Sequence, residues 1–149
     1  MIKCINYFKE IILDKLPVKA FVAGGALRDY FMHDAVINGS DIDLYLDSKY
    51  KTDTLLHFLS RNGAQLYESN FSIKFNFDNK IVDVILEQFD SLEDIIKTFD
   101  FTVCCVAADN TRVIYHPTFM SDLAAKKLII NDSEEFWKRN IDLKILKRL

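Results

Sequence analysis

Two prolines and four glycines in 149 residues exclude a collagenous, linker-like or low-complexity chain. Long apolar runs are missing as well. None approaches the ~18 residues of a membrane span, so no membrane partner is expected. The N-terminal stretch Met1-Ile2-Lys3-Cys4-Ile5-Asn6 has no long apolar centre, which argues against a secretory leader. Cysteine is scarce: three in all, an odd count, with Cys104 and Cys105 adjacent. That pattern suits free thiols in a reducing, cytoplasmic compartment. No Cys/His spacing resembles a zinc site, and the cysteines read as small apolar side chains. An excess of either charge is also absent. Lys and Arg number 19 against 22 Asp and Glu, for a net charge of −3. This excludes a protein held on polyanions by charge alone. The charge is uneven, with 12 basic against 18 acidic residues over 1–125 and 7 against 4 over 126–149. The basic end is a candidate phosphate contact, and the simpler account is a solvated helix face.

Half of the residues are apolar, enough to bury the core of one domain. Apolar residues at helical spacing predict a helix over 2–15, and helices are also expected over 26–33, 91–97 (opened by the capping-box pattern Ser91-Leu92-Glu93-Asp94), 119–127 and 133–148, with one that Ser48 or Asp53 could cap, ending before Gly63. Phe136, Trp137 and Ile141 are the residues expected to dock the last of them. Alternating or continuous apolar runs predict strands over 18–23, 41–46, 66–68, 71–77, 80–86, 101–107 and 112–115, with Asp78-Asn79 as a hairpin turn. Helices and hairpin-joined strands together indicate an α/β (α+β) domain. Its mixed sheet is expected to hold about five strands flanked by helices.

Three stretches carry chemistry. In Phe21-Val22-Ala23-Gly24-Gly25-Ala26-Leu27-Arg28-Asp29, a strand delivers two glycines to a helix start. Glycine lets a phosphate approach the backbone, and a helix N-terminus offers unpaired N–H groups to an anion. Arg28 could add a forked phosphate contact. Taken alone, the pair of glycines also suits a plain strand–helix turn. In Ser40-Asp41-Ile42-Asp43-Leu44-Tyr45-Leu46, strand periodicity projects Asp41 and Asp43 from one face and sends Ile42 and Leu44 to the other. Two such carboxylates are hard ligands for Mg²⁺, or the solvated edge of a sheet. In Ile81-Val82-Asp83-Val84-Ile85-Leu86, one acid interrupts an apolar strand. Asp83 is either a third ligand or a residue on a half-exposed face.

In this order the stretches resemble the catalytic head of the polymerase-β-type nucleotidyltransferase superfamily, in its branch of bacterial poly(A) polymerases and CCA-adding enzymes. The resemblance continues through Asp100-Phe101-Thr102-Val103, which is similar to that branch's Arg-Arg-Asp-Phe-Thr motif. It extends to His116-Pro117, Ser121-Asp122-Leu123 and Lys127-Leu128-Ile129, and so covers roughly residues 18–130. It implies a nucleotidyltransferase fold and the transfer of a nucleoside monophosphate from a nucleoside triphosphate to an acceptor hydroxyl. The acceptor would be an RNA 3′ end, a protein or a small molecule. Asp41, Asp43 and Asp83 would be the catalytic residues and hold two Mg²⁺ ions, or Mn²⁺. Gly24, Gly25, Arg28, Asp29 and Ser40 would bind the nucleotide.

Departures qualify the expectation. Thr98 and Phe99 stand where the branch has paired arginines, His33 replaces a helix-ending glycine, and Cys104 replaces an asparagine. Modest triphosphate affinity follows. Residues 1–149 are expected to form a single head-type domain, with no neck, body or tail. RNA binding by it would be weak, and a partner protein or a second copy would have to supply more surface. Two further readings stay open. One is an impaired nucleotidyltransferase-like module that binds nucleotide or partners. The other is a transferase of the mobile-element or toxin type.

Overall fold

The computed structural model describes residues 1–37 and 39–131. The helix expected over 133–148 therefore lies outside the described residues, as do Phe136, Trp137, Ile141 and the basic Lys138, Arg139, Lys144, Lys147 and Arg148. Seven strands form one sheet: β1 (Phe21–Ala23), β2 (Asp41–Leu46), β3 (Ala64–Glu68), β4 (Ser72–Phe77), β5 (Lys80–Gln88), β6 (Val106–Ala108) and β7 (Val113–Tyr115). Among the described residues, five α-helices accompany them: α1 (Ile2–Ile11), α2 (Gly25–His33), α3 (Lys49–Asn62), α4 (Leu92–Ile96) and α5 (Phe119–Ala124). The fold is α/β, as expected. Among the described residues the sheet has seven strands rather than about five, because every run read as a strand, the edge hairpins included, joins the one sheet.

The strand order is β3-β4-β5-β2-β1-β6-β7. Among the described residues, only β2 and β5 run parallel; every other strand pairing is antiparallel. Parallel neighbours need a long crossover, and here α3 and the β3–β4 hairpin supply it. The Asp78-Asn79 turn has φ of 52° and 60°, the left-handed pair that a tight two-residue hairpin demands.

One sheet face is the main core. Val22, Ile42, Leu44, Val82, Val84 and Phe75 pack there beneath Phe8 of α1, Leu27 of α2, and Leu55 and Leu59 of α3. On the other face α4 covers only part of the sheet, packing Leu92 and Ile95 over Phe21, Ala23, Tyr45 and Ala107. Sequence period 2 sends Asp41, Asp43 and Asp83 to this second, less covered face.

Local chemistry explains several boundaries. Ser48 and Ser91 each accept a hydrogen bond from the backbone three residues on, Lys51 N at 3.2 Å and Asp94 N at 3.2 Å, and so cap α3 and α4. Gly63 ends α3 in an extended conformation. Its need for glycine is spatial, since an added Cβ would lie 2.5 Å from Asn76 O. The first helix stops at Ile11 instead of reaching residue 15, and Leu13–Lys15 tightens into a 3₁₀ turn. The strand expected over 101–107 is divided. Thr102–Cys104 forms a 3₁₀ turn and only Val106–Ala108 is strand, because the backbone N–H of Thr102 is drawn to Ile129 O at 2.9 Å. Among the described residues, no helix is long and apolar enough to cross a membrane. Cys4, Cys104 and Cys105 are buried, and burial pushes the Cys4 thiol up to about 11.

Candidate active site

The site begins at the β1–α2 junction. Gly24 has φ 77° and ψ −133°, a backbone state that disfavours a side chain. Its N–H donates to Val106 O at 3.0 Å, and its carbonyl accepts from Arg28 N at 3.0 Å. The glycine thus locks β1 to β6 while opening α2. A Cβ on Gly25 would touch the Arg28 guanidinium at 3.7 Å, so that side chain folds back over the first turn of α2. Arg28 Nη1 also donates to Cys104 Sγ at 3.6 Å. Helix-start N–H groups and a guanidinium therefore face the same space, an arrangement suited to an anion. Asp29 is 8% exposed and packs within the fold, whereas Gly25 and Arg28 are half-buried. Ser40 sits just before β2, with its N–H donating to Ile37 O at 3.0 Å, and lines a cavity of about 670 Å³ with Tyr7, Asn76 and Lys80.

Strand pairing assembles the acids. Asp43 is in register with Asp83 across the parallel β2–β5 pair, and Asp41 lies two residues before Asp43 on the same strand face. The same row continues to Ala23 on β1, next to Gly24. In the other direction it runs to Lys74 on β4 and Tyr67 on β3. Register alone thus brings the three acids beside the glycine turn.

The electrostatics follow. Burial, then the charges of Asp83 and Asp41, push the Asp43 carboxyl up to about 7, against the opposing pull of Lys74. The Tyr45 phenol beneath is pushed up by burial and by Asp43 and Asp83. Lys74 Nζ lies 2.7 Å from Asp41 Oδ2; that hydrogen bond, then the three acids' charges, raise its ammonium above the usual lysine range. Asp83 Oδ1 is buried without a hydrogen-bond partner. A buried orphan carboxylate oxygen is costly, and it fits a site built for a cation. An all-oxygen donor set suits Mg²⁺ or Mn²⁺ chemically. Among the described residues, however, no three His, Cys, Asp or Glu side chains stand ready to hold a metal ion. Like charges repel, and Asp41 is engaged by Lys74, so the acids share a face without closing on a point.

Two features escaped the sequence. Lys74 is one: an isolated lysine on a strand becomes informative only once β4 pairs with β5. Phe99 is the other. A Cβ on Gly24 would lie 3.5 Å from its ring, and the ring also makes an edge contact with Tyr45 at 6.4 Å. Where the resembled branch has an arginine, an aromatic ring rests on the glycine turn. The remaining matched stretches form a clasp. Thr102 and Thr118 hydroxyls both donate to Asp122 Oδ2 at 2.7 Å, and Asn131 N donates to Asp100 O at 2.7 Å.

With this geometry in view, a profile of the Gabija anti-defense 2 family matches residues 2–126. The chain belongs to the Gabija anti-defense 2 family. Solved structures share its fold at low identity. The Bacillus stearothermophilus CCA-adding enzyme in complex with CTP superposes with a TM-score of 0.60 at 15% identity, over 93% of this chain and 35% of that one. A tRNA nucleotidyltransferase complexed with a primer tRNA and an incoming ATP analog gives 0.61 at 18%, over 93% and 41%. The Thermotoga maritima CCA-adding enzyme complexed with tRNA gives 0.56 at 14%, over 93% and 33%. The chain thus spans 33–41% of these enzymes' length. No curated protein sequence shows significant similarity to it.

Proposed function

We propose that this member of the Gabija anti-defense 2 family is a metal-dependent nucleotidyltransferase that counters Gabija by transferring a nucleoside monophosphate to an acceptor hydroxyl. The observation that carries the reading is the row of Asp43 and Asp83, with Asp41 beside them, running into the Gly24–Gly25 turn. The buried, unpartnered Asp83 Oδ1 supports it, as does the fold shared with enzymes solved with CTP or an ATP analog.

In this reading the first turn of α2 and the Arg28 guanidinium bind the triphosphate through its anionic oxygens. Phe99 would bound the nucleotide beside Gly24. Asp41, Asp43 and Asp83 would hold Mg²⁺ or Mn²⁺, which when bound supplies Lewis-acid stabilisation of the transferring phosphate and lowers the pKa of the acceptor hydroxyl. The acceptor hydroxyl loses its proton to solvent as its oxygen attacks the α-phosphorus, a new P–O bond forms, and the bond to the pyrophosphate leaving group breaks. The protein's share of the catalysis is positioning and charge. We read residues 1–149 as a single head-type domain. The acceptor is an RNA end, a protein or a small molecule, and an RNA acceptor would be held weakly. A partner protein or second copy would supply further surface.

The replacement of two arginines by Thr98 and Phe99 favours a second reading, a nucleotide-binding module without turnover. Transfer of label from each of four α-³²P-labelled nucleoside triphosphates, with Mg²⁺ or Mn²⁺ and cell lysate as acceptor, separates the two. Labelled acceptor supports the enzyme; nucleotide binding without any labelled product supports the module.

A further inference from the structure

Lys74 stands on β4 in register with Asp83, which is itself in register with Asp43. Its Nζ lies 2.7 Å from Asp41 Oδ2, and its side chain is 31% exposed. One ammonium therefore sits among three carboxylates contributed by two strands. A single positive charge there offsets part of the repulsion among the acids. It also engages one Asp41 oxygen that a divalent cation would need. An ammonium and a divalent cation sharing that oxygen would repel strongly at such range.

We propose that Lys74 is an internal counter-cation of the carboxylate cluster, competing with free divalent metal for Asp41. The proposal rests on the nucleotidyltransferase reading, because it assumes that the cluster is a metal site. It accounts for two observations together. The three acids share one face, yet among the described residues no trio of acids stands ready to hold a metal. Asp83 Oδ1 has no hydrogen-bond partner, while Asp41 has a close one. The ion pair is made by the acid at the start of β2, so the inner pair, Asp43 and Asp83, is left as the nucleus of the site. Lysine suits the task, being a compact charge on a flexible stem that can swing away from Asp41. Lys74 is in this sense a positioning residue, acting through Asp41.

The test is nucleotide-free Mn²⁺ binding by the full chain, followed by electron paramagnetic resonance of the unbound ion. It compares the wild type with Lys74→Met, Lys74→Gln, Lys74→Arg and Asp43→Asn. Both neutral variants should bind Mn²⁺ about tenfold more tightly than the wild type, equivalent to about 1.4 kcal/mol. Lys74→Arg keeps the ion pair and should bind as weakly as the wild type. Mn²⁺ should also raise the melting temperature of Lys74→Met by more than that of the wild type. Should Lys74→Met fail to fold, the Gln and Arg variants carry the comparison. Neutral variants that bind Mn²⁺ no more tightly than the wild type, while Asp43→Asn abolishes binding, would overturn the role of Lys74 and leave the metal site standing. If none of the proteins binds Mn²⁺, the nucleotidyltransferase reading falls and the proposal falls with it.

Discussion

Replacing Asp43 with asparagine should stabilise the metal-free protein at pH 8 and leave it unchanged near pH 4. Burial, together with the charges of Asp83 and Asp41, raises the Asp43 carboxyl from 3.8 to about 7. The unfolded chain releases this proton near pH 4. Between the two values the native state holds a proton that the unfolded state lacks. Stability from this group is therefore complete below about pH 4, declines as pH rises, and is lost above about pH 7. At about 1.4 kcal/mol per pKa unit, the rise sets a ceiling of about 4 kcal/mol. Asparagine keeps the shape and never ionises, so it removes the penalty. Because the site is partly open to water, a gain of about 2–4 kcal/mol is expected at pH 8. That corresponds to roughly 5–15 °C in melting temperature for a chain of this size. Thermal and urea melts at pH 4, 6 and 8 in chelator provide the assay. Equal stability of the two proteins at pH 8, or a gain that does not change with pH, would refute the reasoning.

Arg28→Ala should weaken nucleoside triphosphate binding about 10- to 100-fold with the fold intact, since a hydrogen bond to a charged group is worth roughly 1.5–3 kcal/mol; calorimetry checks it, and unchanged affinity rejects the phosphate role. Gly63→Ala should destabilise by about 1–3 kcal/mol, because its Cβ would meet backbone at 2.5 Å; a denaturant midpoint equal to that of the wild type would contradict this. RNA binding should fall in the non-specific range, roughly 10⁻⁴ to 10⁻⁶ M, and weaken steeply with salt. The acidic balance of residues 1–125 is the reason, and nanomolar binding at physiological salt in a filter assay would overturn it.

Much of the candidate site was legible because it is local. The glycines before α2, the alternating acids of β2 and the lone acid of β5 are each set by strand or helix period within a few residues. The Ser48 cap, one of two candidates with Asp53, and the Asp78-Asn79 turn were readable for the same reason. What escaped depends on partners distant in sequence. Lys74 meets Asp41 only through the β4–β5–β2 register. Phe99 reaches Gly24 by tertiary packing across 75 positions. The apolar run at 101–107 looks like strand throughout, but long-range bonding to Ile129 turns its start into 3₁₀. Every residue of β3 is exposed, so apolar patterning could not have placed its start, and pairing with β4 defines it instead.

The most direct measurement of the central claim is transfer of α-³²P label by the wild type and by Asp41→Asn, Asp43→Asn and Asp83→Asn. It uses Mg²⁺ or Mn²⁺, each of four nucleoside triphosphates, and an acceptor mixture of total RNA and lysate containing Gabija components. The account predicts labelled acceptor with the wild type and loss of the label in each of the three variants, all still folded by circular dichroism. No labelled acceptor under any condition from a wild type that binds triphosphate, or transfer undiminished in the three variants, would contradict it.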